Sequence, residues 1–329
     1  MLRVLTYHRI AKASRDRHLN PRLISAAPDE FGRQMRFLAE RYNVVRLDSV
    51  LEAVAGGRKL PKRAVLITFD DAYRDFLEVA WPILHAHRLP ATLFVPTAYP
   101  DRPERAFWWD RLHRCFTDPR RTEVGVADFG VEGTDTLHLR TTEERSLALQ
   151  TVTNHFKTLP YEDAMRMVET LCAELSDESE PFNSVLRWDE LRSLMDENVS
   201  LCAHTRWHPL LTRVTAARAR AEIAGSQADM QRELGFVQPV FSYPDGAHDD
   251  TVVDAARSEG FDIAFTQRDG HNDFRHVDPL RLCRTNVTPK TTLPILKLRL
   301  QSWFVRVDRW RHEHNVRVPL PRFMFRESA

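Results

Sequence analysis

Short apolar runs alternate with amphipathic segments along most of this chain. Runs of apolar residues predict buried strands, whereas apolar residues that recur every three or four positions predict helices. The predicted strands are Val4–Tyr7, Asn43–Leu47, Val65–Phe69, Ala91–Val95, Val199–Ala203, Val240–Tyr243 and Asp262–Thr266. The predicted helices are Asp29–Arg41, Ser49–Ala55, Tyr73–His87 (interrupted by Pro82), Leu186–Glu197, Ala216–Leu234 and Thr251–Glu259. This alternation is typical of an α/β protein with βαβ units around a parallel sheet, most economically a barrel.

The alternation is lost between about residues 99 and 182. Residues 141–144 read Thr-Thr-Glu-Glu and fit a capping box that opens a helix. The apolar residues that follow keep helical spacing over two segments: Leu149, Val152, Phe156 and Leu159, then Met167, Val168, Leu171 and Leu175. We therefore predict a mostly helical insertion on a barrel that spans residues 1–289, rather than an independent domain.

Residues 290–329 form a basic tail with nine Lys/Arg against three Asp/Glu. A helical stripe of apolar residues runs along its first half: Leu296, Leu300, Trp303, Phe304, Val307 and Trp310. A final helix docked on the barrel or its insertion explains this stripe. The more specific alternative is a peripheral contact of this segment with a membrane surface, because Lys and Arg flank the stripe.

Composition limits the class of protein. The chain has 329 residues, of which 43% are hydrophobic and 28% charged, as in globular proteins. A formal net charge of +1 argues against nucleic acid as the main partner. No run approaches the roughly 18 apolar residues that cross a bilayer, and the first residues turn polar too soon for a signal peptide. Four cysteines without Cys-x-x-Cys spacing fit reduced thiols, so we predict a cytoplasmic protein.

Polar residues suited to catalysis directly follow four of the predicted strands. They are His8, the pair Asp70-Asp71, His204 with His208, and Pro244-Asp245. In α/β barrels and open α/β sheets, the carboxyl ends of the strands converge on one face, where sites form. We therefore expect these residues, which are remote in sequence, to meet in space.

The residue types in this set suit a catalytic metal ion. Two adjacent carboxylates at the end of a buried strand are costly unless a cation meets them. Two histidines four positions apart can bind one ion from one side. One Asp and two His make three protein ligands and leave room for water and substrate, as in catalytic zinc sites. Taken alone, the aspartates fit a helix N-cap and the histidines fit a surface, and only their combination favours a metal.

Three motifs resemble those of the polysaccharide deacetylases, the NodB-homology family (carbohydrate esterase family four). They are Thr68-Phe69-Asp70-Asp71, the His-Thr-x-x-His-Pro segment at residues 204–209, and Tyr243-Pro244-Asp245-Gly246. One branch of the family acts on bacterial exopolysaccharide and related amino sugars. Three further segments of this chain resemble that branch: Tyr7-His8-Arg9, Trp108-Trp109-Asp110 and Trp188-Asp189-Glu190-Leu191. The resemblance covers about Leu2 to Val287. It implies a distorted (β/α) barrel and a hydrolase that removes N-acetyl groups from an amino sugar, oligosaccharide or polysaccharide.

The resemblance also implies a role for each matching residue. Asp71, His204 and His208 would hold a divalent metal, most often Zn²⁺, with Co²⁺ or Ni²⁺ as alternatives. Asp70 would be the general base, and the backbone amide of Asp245 would bind the oxyanion.

Much of the family supplies the general acid from a late Leu-x-His motif, where this chain has Leu282-Cys283-Arg284. His8 would then be the acid, with His271 or His276 in reserve. Expected substrate contacts are Tyr243, Pro244, Trp207 and Arg9, and Trp207 is favoured over Trp108 and Trp109 for stacking on a sugar.

Three positions depart from the family pattern. Ala72 replaces a glycine, and Ser242 replaces an arginine that orients the base, so Arg9 or Arg284 would have to take over. Asp245 replaces an aromatic residue. Its carboxylate would either bind a sugar hydroxyl or repel the oxyanion.

Other functions remain open from the sequence. A metal-dependent glycosyltransferase would use Asp70-Asp71 to hold a nucleotide-sugar diphosphate through a divalent ion, but it needs no histidine pair. A catalytically inactive carbohydrate-binding protein would explain Ser242 and the missing late histidine. An iron site for oxygen chemistry ranks last, because the ligand order and the βα pattern fit it poorly.

Overall fold

The computed structural model describes residues 1–12, 16–102, 104–177, 184–195, 197–301 and 303. In chain order its strands are β1 (Leu2–Tyr7), β2 (Arg9–Ile10), β3 (Ile24–Ala26), β4 (Asn43–Val44), β5 (Ala64–Phe69), β6 (Ala91–Val95), β7 (Glu123–Gly125), β8 (Thr136–His138), β9 (Val199–Ala203), β10 (Val240–Ser242), β11 (Ile263–Phe265) and β12 (Thr285–Asn286). Its α-helices are α1 (Pro28–Arg41), α2 (Leu47–Val54), α3 (Trp81–Ala86), α4 (Trp108–Thr117), α5 (Thr142–Phe156), α6 (Tyr161–Leu175), α7 (Trp188–Met195), α8 (Ala216–Leu234), α9 (Asp250–Ser258) and α10 (Leu293–Arg299).

The main sheet is parallel and curls into a distorted barrel. Its strands lie in the order β11-β10-β9-β6-β5-β1-β12, and β4 pairs with the start of β5. The chain just before β12 returns to β11, because the Leu282 amide donates to Ala264 and the Thr266 amide donates to Leu282. The two outer strands therefore approach each other, which confirms the predicted (β/α) barrel architecture.

The barrel interior is built from strands that are apolar on both faces. All six residues of β5 and all five of β6 are buried. One face of such a strand packs inside the barrel, and the other face is covered by helices. On the outside, α1 turns Phe31 towards β1 and β5, where its ring lies 5.2 Å from that of Tyr7 and 5.9 Å from that of Phe69.

The helix predicted over Tyr73–His87 is divided in the structure. A π-helical turn covers Phe76–Ala80, and α3 begins at Trp81 with Pro82 in its first turn. Proline is tolerated there because those amides have no partner within the helix. The strand predicted over Asn43–Leu47 is also shorter than expected, since Leu47 already opens α2.

The segment predicted as an insertion contains α4, α5, α6 and the β7–β8 hairpin. Its capping box is present: the Glu144 amide donates to the Thr141 hydroxyl, and the Thr141 amide donates to the Glu144 carboxylate, both at 3.1 Å. The sequence analysis gave no helix over α4. This helix carries Trp108, whose ring stacks on that of Phe156 in α5 at 3.7 Å. The insertion thereby brings α4 and α5 together beside the barrel.

The start of the tail docks on the barrel. Leu296 and Leu300 are buried, and the Arg3 side chain donates to the Leu300 carbonyl at 2.7 Å. Phe304, Val307 and Trp310, which complete the predicted stripe, lie outside the described residues. None of the helices in the described ranges is long and apolar enough to cross a membrane.

Candidate active site and metal centre

The polar residues that follow the strands meet in one cleft of about 300 Å³. They are His8 after β1, Asp70 and Asp71 after β5, His204 and His208 after β9, and Asp245 after β10. The same cleft is lined by residues after β11 and β12 and by side chains of the insertion. The predicted convergence at the carboxyl ends of the strands is therefore confirmed.

The backbone turns sharply where these residues leave their strands. Asp71 and Ala72 have φ values of 73° and 51°, and Thr205 and His208 have values of 63° and 54°. This left-handed conformation costs a residue with a side chain about 1–2 kcal/mol, so the surrounding fold must stabilise it. Ala72 pays this cost at the position where the family has glycine.

Asp71, His204 and His208 present three ligand atoms to one point. The Asp71 Oδ1 atom lies 3.3 Å from His208 Nε2 and 3.7 Å from His204 Nε2. All three residues are buried, and their ligand atoms lie within 4.8 Å of one another. Ligands at about 2.1 Å from one tetrahedral zinc ion are about 3.4 Å apart, so the spacing suits a shared cation.

Hydrogen bonding supports the same assignment. The Nδ1–H of His204 donates to the Ser242 carbonyl at 2.7 Å, which leaves the lone pair of Nε2 directed into the cleft. The Asp71 Oδ1 atom is buried and has no hydrogen-bond partner among the described residues. A buried carboxylate oxygen without a donor is costly unless a cation meets it. The donor set therefore fits a divalent metal.

The protonation states of these groups also fit a metal. Burial lowers the pKa of His204 to about 4, so its imidazole is neutral at pH 7. Burial acts to raise the pKa of Asp71, but the neighbouring His208, His8 and His204 outweigh it and hold the pKa below its ordinary value. A neutral imidazole and an ionised carboxylate are the forms that ligate metals.

Arg284 binds the proposed base. Its two terminal nitrogens donate to the two Asp70 oxygens at 2.8 Å each, and its Nε donates to the Thr266 carbonyl at 2.9 Å. Burial acts to raise the pKa of Asp70, but Arg284 and His204 outweigh it and hold the pKa well below its usual range. Of the two arginines that the sequence left open, Arg284 thus replaces the family arginine at Ser242.

Arg9 has a different environment. Its guanidinium donates to Asp75 at 3.2 Å, to Asp110 at 3.4 Å and to Ser184 at 2.8 Å, and it lies 3.6 Å from the centre of the Tyr73 ring. Arg9 is buried and does not line the cleft. The structure therefore does not support Arg9 as a substrate contact. It is a structural cation that ties β2 to α4.

The other three expected substrate contacts also lie away from the cleft lining. Tyr243 is fully buried and donates to the Leu280 carbonyl at 3.0 Å, and Pro244 is buried beside it. The Trp207 indole packs against the Arg105 guanidinium at 4.3 Å. Sequence reasoning favoured Trp207 because it stands between the two histidines, but the left-handed turns at Thr205 and His208 direct its side chain elsewhere.

The aromatic wall of the cleft is formed by Trp108 and Trp109 instead. The Trp109 ring lies edge-on to the His208 ring at 4.7 Å. Its Nε1–H donates to the Tyr73 hydroxyl at 2.7 Å, which fixes the indole in place. Trp108 and Trp109 therefore line the cleft and Trp207 does not, whereas the stacking of any of the three on a sugar stays a prediction.

Apart from the two candidate metal ligands, His8 is the only histidine of the described ranges that lines the cleft. Its backbone amide donates to the Ser25 hydroxyl at 2.9 Å, which anchors the residue after β1. His271 and His276, the reserve acids, do not line the cleft. His271 is adjacent to Asn272, which pairs with Leu2 at the opposite end of β1, about 20 Å from His8 at the usual strand rise.

The loop after β10 presents Asp245 to the cleft in a strained conformation. Asp245 has φ 52° and ψ 15°, and Gly246 has φ 67°. A Cβ on Gly246 would lie 2.5 Å from the backbone nitrogen of Gln267, so only glycine fits there. The Asp245 carboxylate pairs with Lys157 of the insertion at 2.7 Å. Sequence reasoning missed Lys157, because nothing in its local pattern distinguishes it from other surface lysines.

Comparison with known proteins agrees with this geometry. The polysaccharide deacetylase family model matches residues 57–127 and 142–264. The chain belongs to this family. A curated relative, the poly-beta-1,6-N-acetyl-D-glucosamine N-deacetylase of Escherichia coli K12, is 31% identical over 100 residues. That match covers 30% of this chain but only 14% of the relative's length.

Solved structures of deacetylases share the fold of this family member. Streptococcus pyogenes deacetylase PplD in complex with acetate matches with a TM-score of 0.61 at 19% identity, over 91% of this chain and 98% of PplD. IcaB from Ammonifex degensii matches with a TM-score of 0.58 at 19% identity, over 91% and 97%. At such low identity these likenesses establish the fold alone.

Proposed function

We propose that this chain is a metal-dependent hydrolase that removes N-acetyl groups from an amino sugar, oligosaccharide or polysaccharide. The observation that carries the proposal is the arrangement of Asp71, His204 and His208 around one point, beside a second carboxylate held ionised by Arg284. Membership of the polysaccharide deacetylase family supports the same reaction.

Each remaining residue has a task in such a hydrolysis. A bound divalent cation would acidify a water molecule and polarise the acetamide carbonyl. Asp70 would accept the proton of the attacking water, and Arg284 would keep the carboxylate ionised and oriented. The Asp245 amide would donate to the oxyanion, and His8 would protonate the leaving amine. Because the pKa of Asp70 is low, this carboxylate is a weak base and suits only an acidic water.

We propose zinc as the metal, with cobalt or nickel as substitutes. Two imidazole nitrogens and one carboxylate oxygen are a donor set typical of catalytic zinc, whereas magnesium prefers oxygen ligands. This preference also separates the deacetylase from the glycosyltransferase alternative, which would hold exchangeable magnesium or manganese.

The substrate is best tested with β-1,6-linked N-acetylglucosamine oligosaccharides, because the curated relative is named for that polymer. Chelator-treated protein is supplied with zinc, cobalt, nickel or magnesium, and acetate release is measured over a panel of acetylated sugars. We expect release with zinc, cobalt or nickel, and loss of release in Asp70→Asn. If wild type and Asp70→Asn are equally inactive but still bind sugars, the result would instead support an inactive carbohydrate-binding protein.

A further inference from the structure

An ion pair joins the insertion to the loop that carries the proposed oxyanion donor. The Lys157 ammonium lies 2.7 Å from Asp245 Oδ2, although the residues are 88 positions apart in the chain. Lys157 caps the end of α5, and Asp245 follows β10. Both side chains line the catalytic cleft. The contact is thus made across the active site rather than on an outer surface.

Stability does not account for this pair. Each side chain is 42% exposed, and ion pairs with that much solvent access contribute little to folding. The position of Asp245 suggests a role for the pair in the reaction instead. Its carboxylate belongs to the same residue as the amide that would hold the oxyanion, and its backbone is fixed at φ 52°. An uncompensated carboxylate there would oppose the negative charge that develops during the reaction.

We propose that Lys157 is a positioning residue that cancels the negative charge of Asp245 beside the oxyanion, so that the insertion completes the active site. The inference rests on the proposed function, since it concerns the charge formed in that reaction. It also explains how this chain uses a carboxylate where the family has an aromatic residue: the substitution is compensated from the insertion.

The first test is a double-variant series with acetate release as the readout. Lys157→Met should lower kcat about tenfold and change KM less, because the lost interaction acts mainly when the oxyanion forms. Lys157→Arg, which keeps the charge, should retain most of the activity. Adding Asp245→Asn to Lys157→Met should recover most of the lost kcat, because the unpaired charge is removed. Arg192→Met, which breaks a comparable exposed pair with Glu233, is the matched control and should leave kcat unchanged.

A second readout does not depend on turnover. Acetate, whose carboxylate would meet the same cation and amide, is titrated calorimetrically into the zinc-loaded proteins. Lys157→Met should bind acetate about tenfold more weakly than wild type, and the double variant should bind it nearly as well as wild type. A double variant as impaired as Lys157→Met, or a Lys157→Met protein that matches wild type, would overturn the inference. If wild type releases no acetate from any sugar but the binding pattern holds, the proposed function fails, and the inference is reduced to the compensation of the Asp245 charge by Lys157 at an anion site.

Discussion

A buried arginine contributes most to keeping Asp70 ionised. Arg284 is fully buried and meets both oxygens of the Asp70 carboxylate. Such a two-fold contact fixes the orientation of the carboxylate as well as its charge, which a lysine at the same place could not do. The departure at Ser242 is thereby compensated by the residue that precedes β12.

Removing this arginine should therefore damage both stability and activity. Arg284→Met leaves a buried carboxylate without a partner, and we expect a loss of about 3–5 kcal/mol in the free energy of unfolding at pH 7. Lowering the pH should shrink this difference. In the variant, the unpaired carboxylate takes up a proton as the pH falls, which relieves the cost of its burial. In the wild type, the contribution of the pair begins to decline only near pH 3.8, where the unfolded chain takes up this proton while folded Asp70 stays ionised.

Urea denaturation of both proteins between pH 3.5 and 7 checks the prediction, and Arg281→Met, which breaks an exposed pair with Asp250, is the control. An Arg284→Met protein as stable as wild type at pH 7 would contradict it.

The candidate site residues could be predicted to the extent that they adjoin a strand. Asp70, Asp71, His204 and His208 directly follow apolar runs, so their convergence follows from the geometry of parallel strands. Arg284 could only be named as one of two candidates, because its contact with Asp70 depends on how β12 is placed beside β1. Lys157 could not be found at all, since the packing of the insertion against the barrel decides where its side chain lies.

At the scale of elements, α8 holds the turn that carries the two histidines. Glu222 of α8 is buried, and its Oε2 accepts the backbone amides of Arg206 at 3.1 Å and Trp207 at 2.9 Å. Its other oxygen pairs with Arg218 at 2.8 Å. The turn needs such support, because Thr205 and His208 are both in the left-handed conformation.

Glu222→Ala should therefore weaken metal binding by about tenfold or more, in line with the 10–100-fold effects of residues that support metal ligands. Competition with a chromogenic zinc chelator measures the affinity without turnover. Glu222→Gln should lose less, because it retains one acceptor oxygen. Glu233→Ala removes the same residue type from the same helix without touching the turn, and it should bind zinc like wild type. The role assigned to Glu222 is refuted if its alanine variant binds zinc equally well.

At the scale of the whole molecule, the metal would link distant parts of the chain. Asp71 follows β5, whereas His204 and His208 follow β9, and β6 lies between these strands in the sheet. Zinc should therefore stabilise the folded protein by about 2.7 kcal/mol at a free concentration one hundred times the dissociation constant. Thermal unfolding with zinc and with a chelator measures the shift, and Asp71→Ala should abolish it. An unchanged melting temperature on adding zinc would count against the shared site.

The two ends of the barrel differ in charge, and we predict that the amino end of the sheet binds anionic membrane surfaces. The cleft lies at the carboxyl ends of the strands, whereas a basic loop precedes β5 at the amino ends. Four of its residues are exposed cations: Arg58, Lys59, Lys62 and Arg63. Within the described ranges, no salt bridge joins them to a carboxylate, although Glu52 lies in the same groove as Arg58 and Lys59.

Two exposed apolar side chains lie at the same end. Met1, which is 54% exposed, precedes β1 and so neighbours Arg63, because Leu2 pairs with Ala64. Trp303 is 58% exposed and follows Leu300, which is bonded to Arg3. In the sequence, residues 304–329, which lie outside the described ranges, contain six Lys/Arg and three Asp/Glu.

We therefore expect the full chain to bind vesicles of phosphatidylcholine with 30% phosphatidylglycerol, but not pure phosphatidylcholine, and to be released by salt. Each basic residue near an anionic surface contributes about 1 kcal/mol, so changing all four loop cations to glutamine should weaken binding at least a hundredfold. Truncation before Phe304 should weaken it further. The control changes four exposed cations elsewhere to glutamine: Arg140 and Arg166 of the insertion, Arg213 before α8 and Arg220 of α8. Equal losses in both quadruple variants would mean that net charge, not this end of the barrel, determines binding.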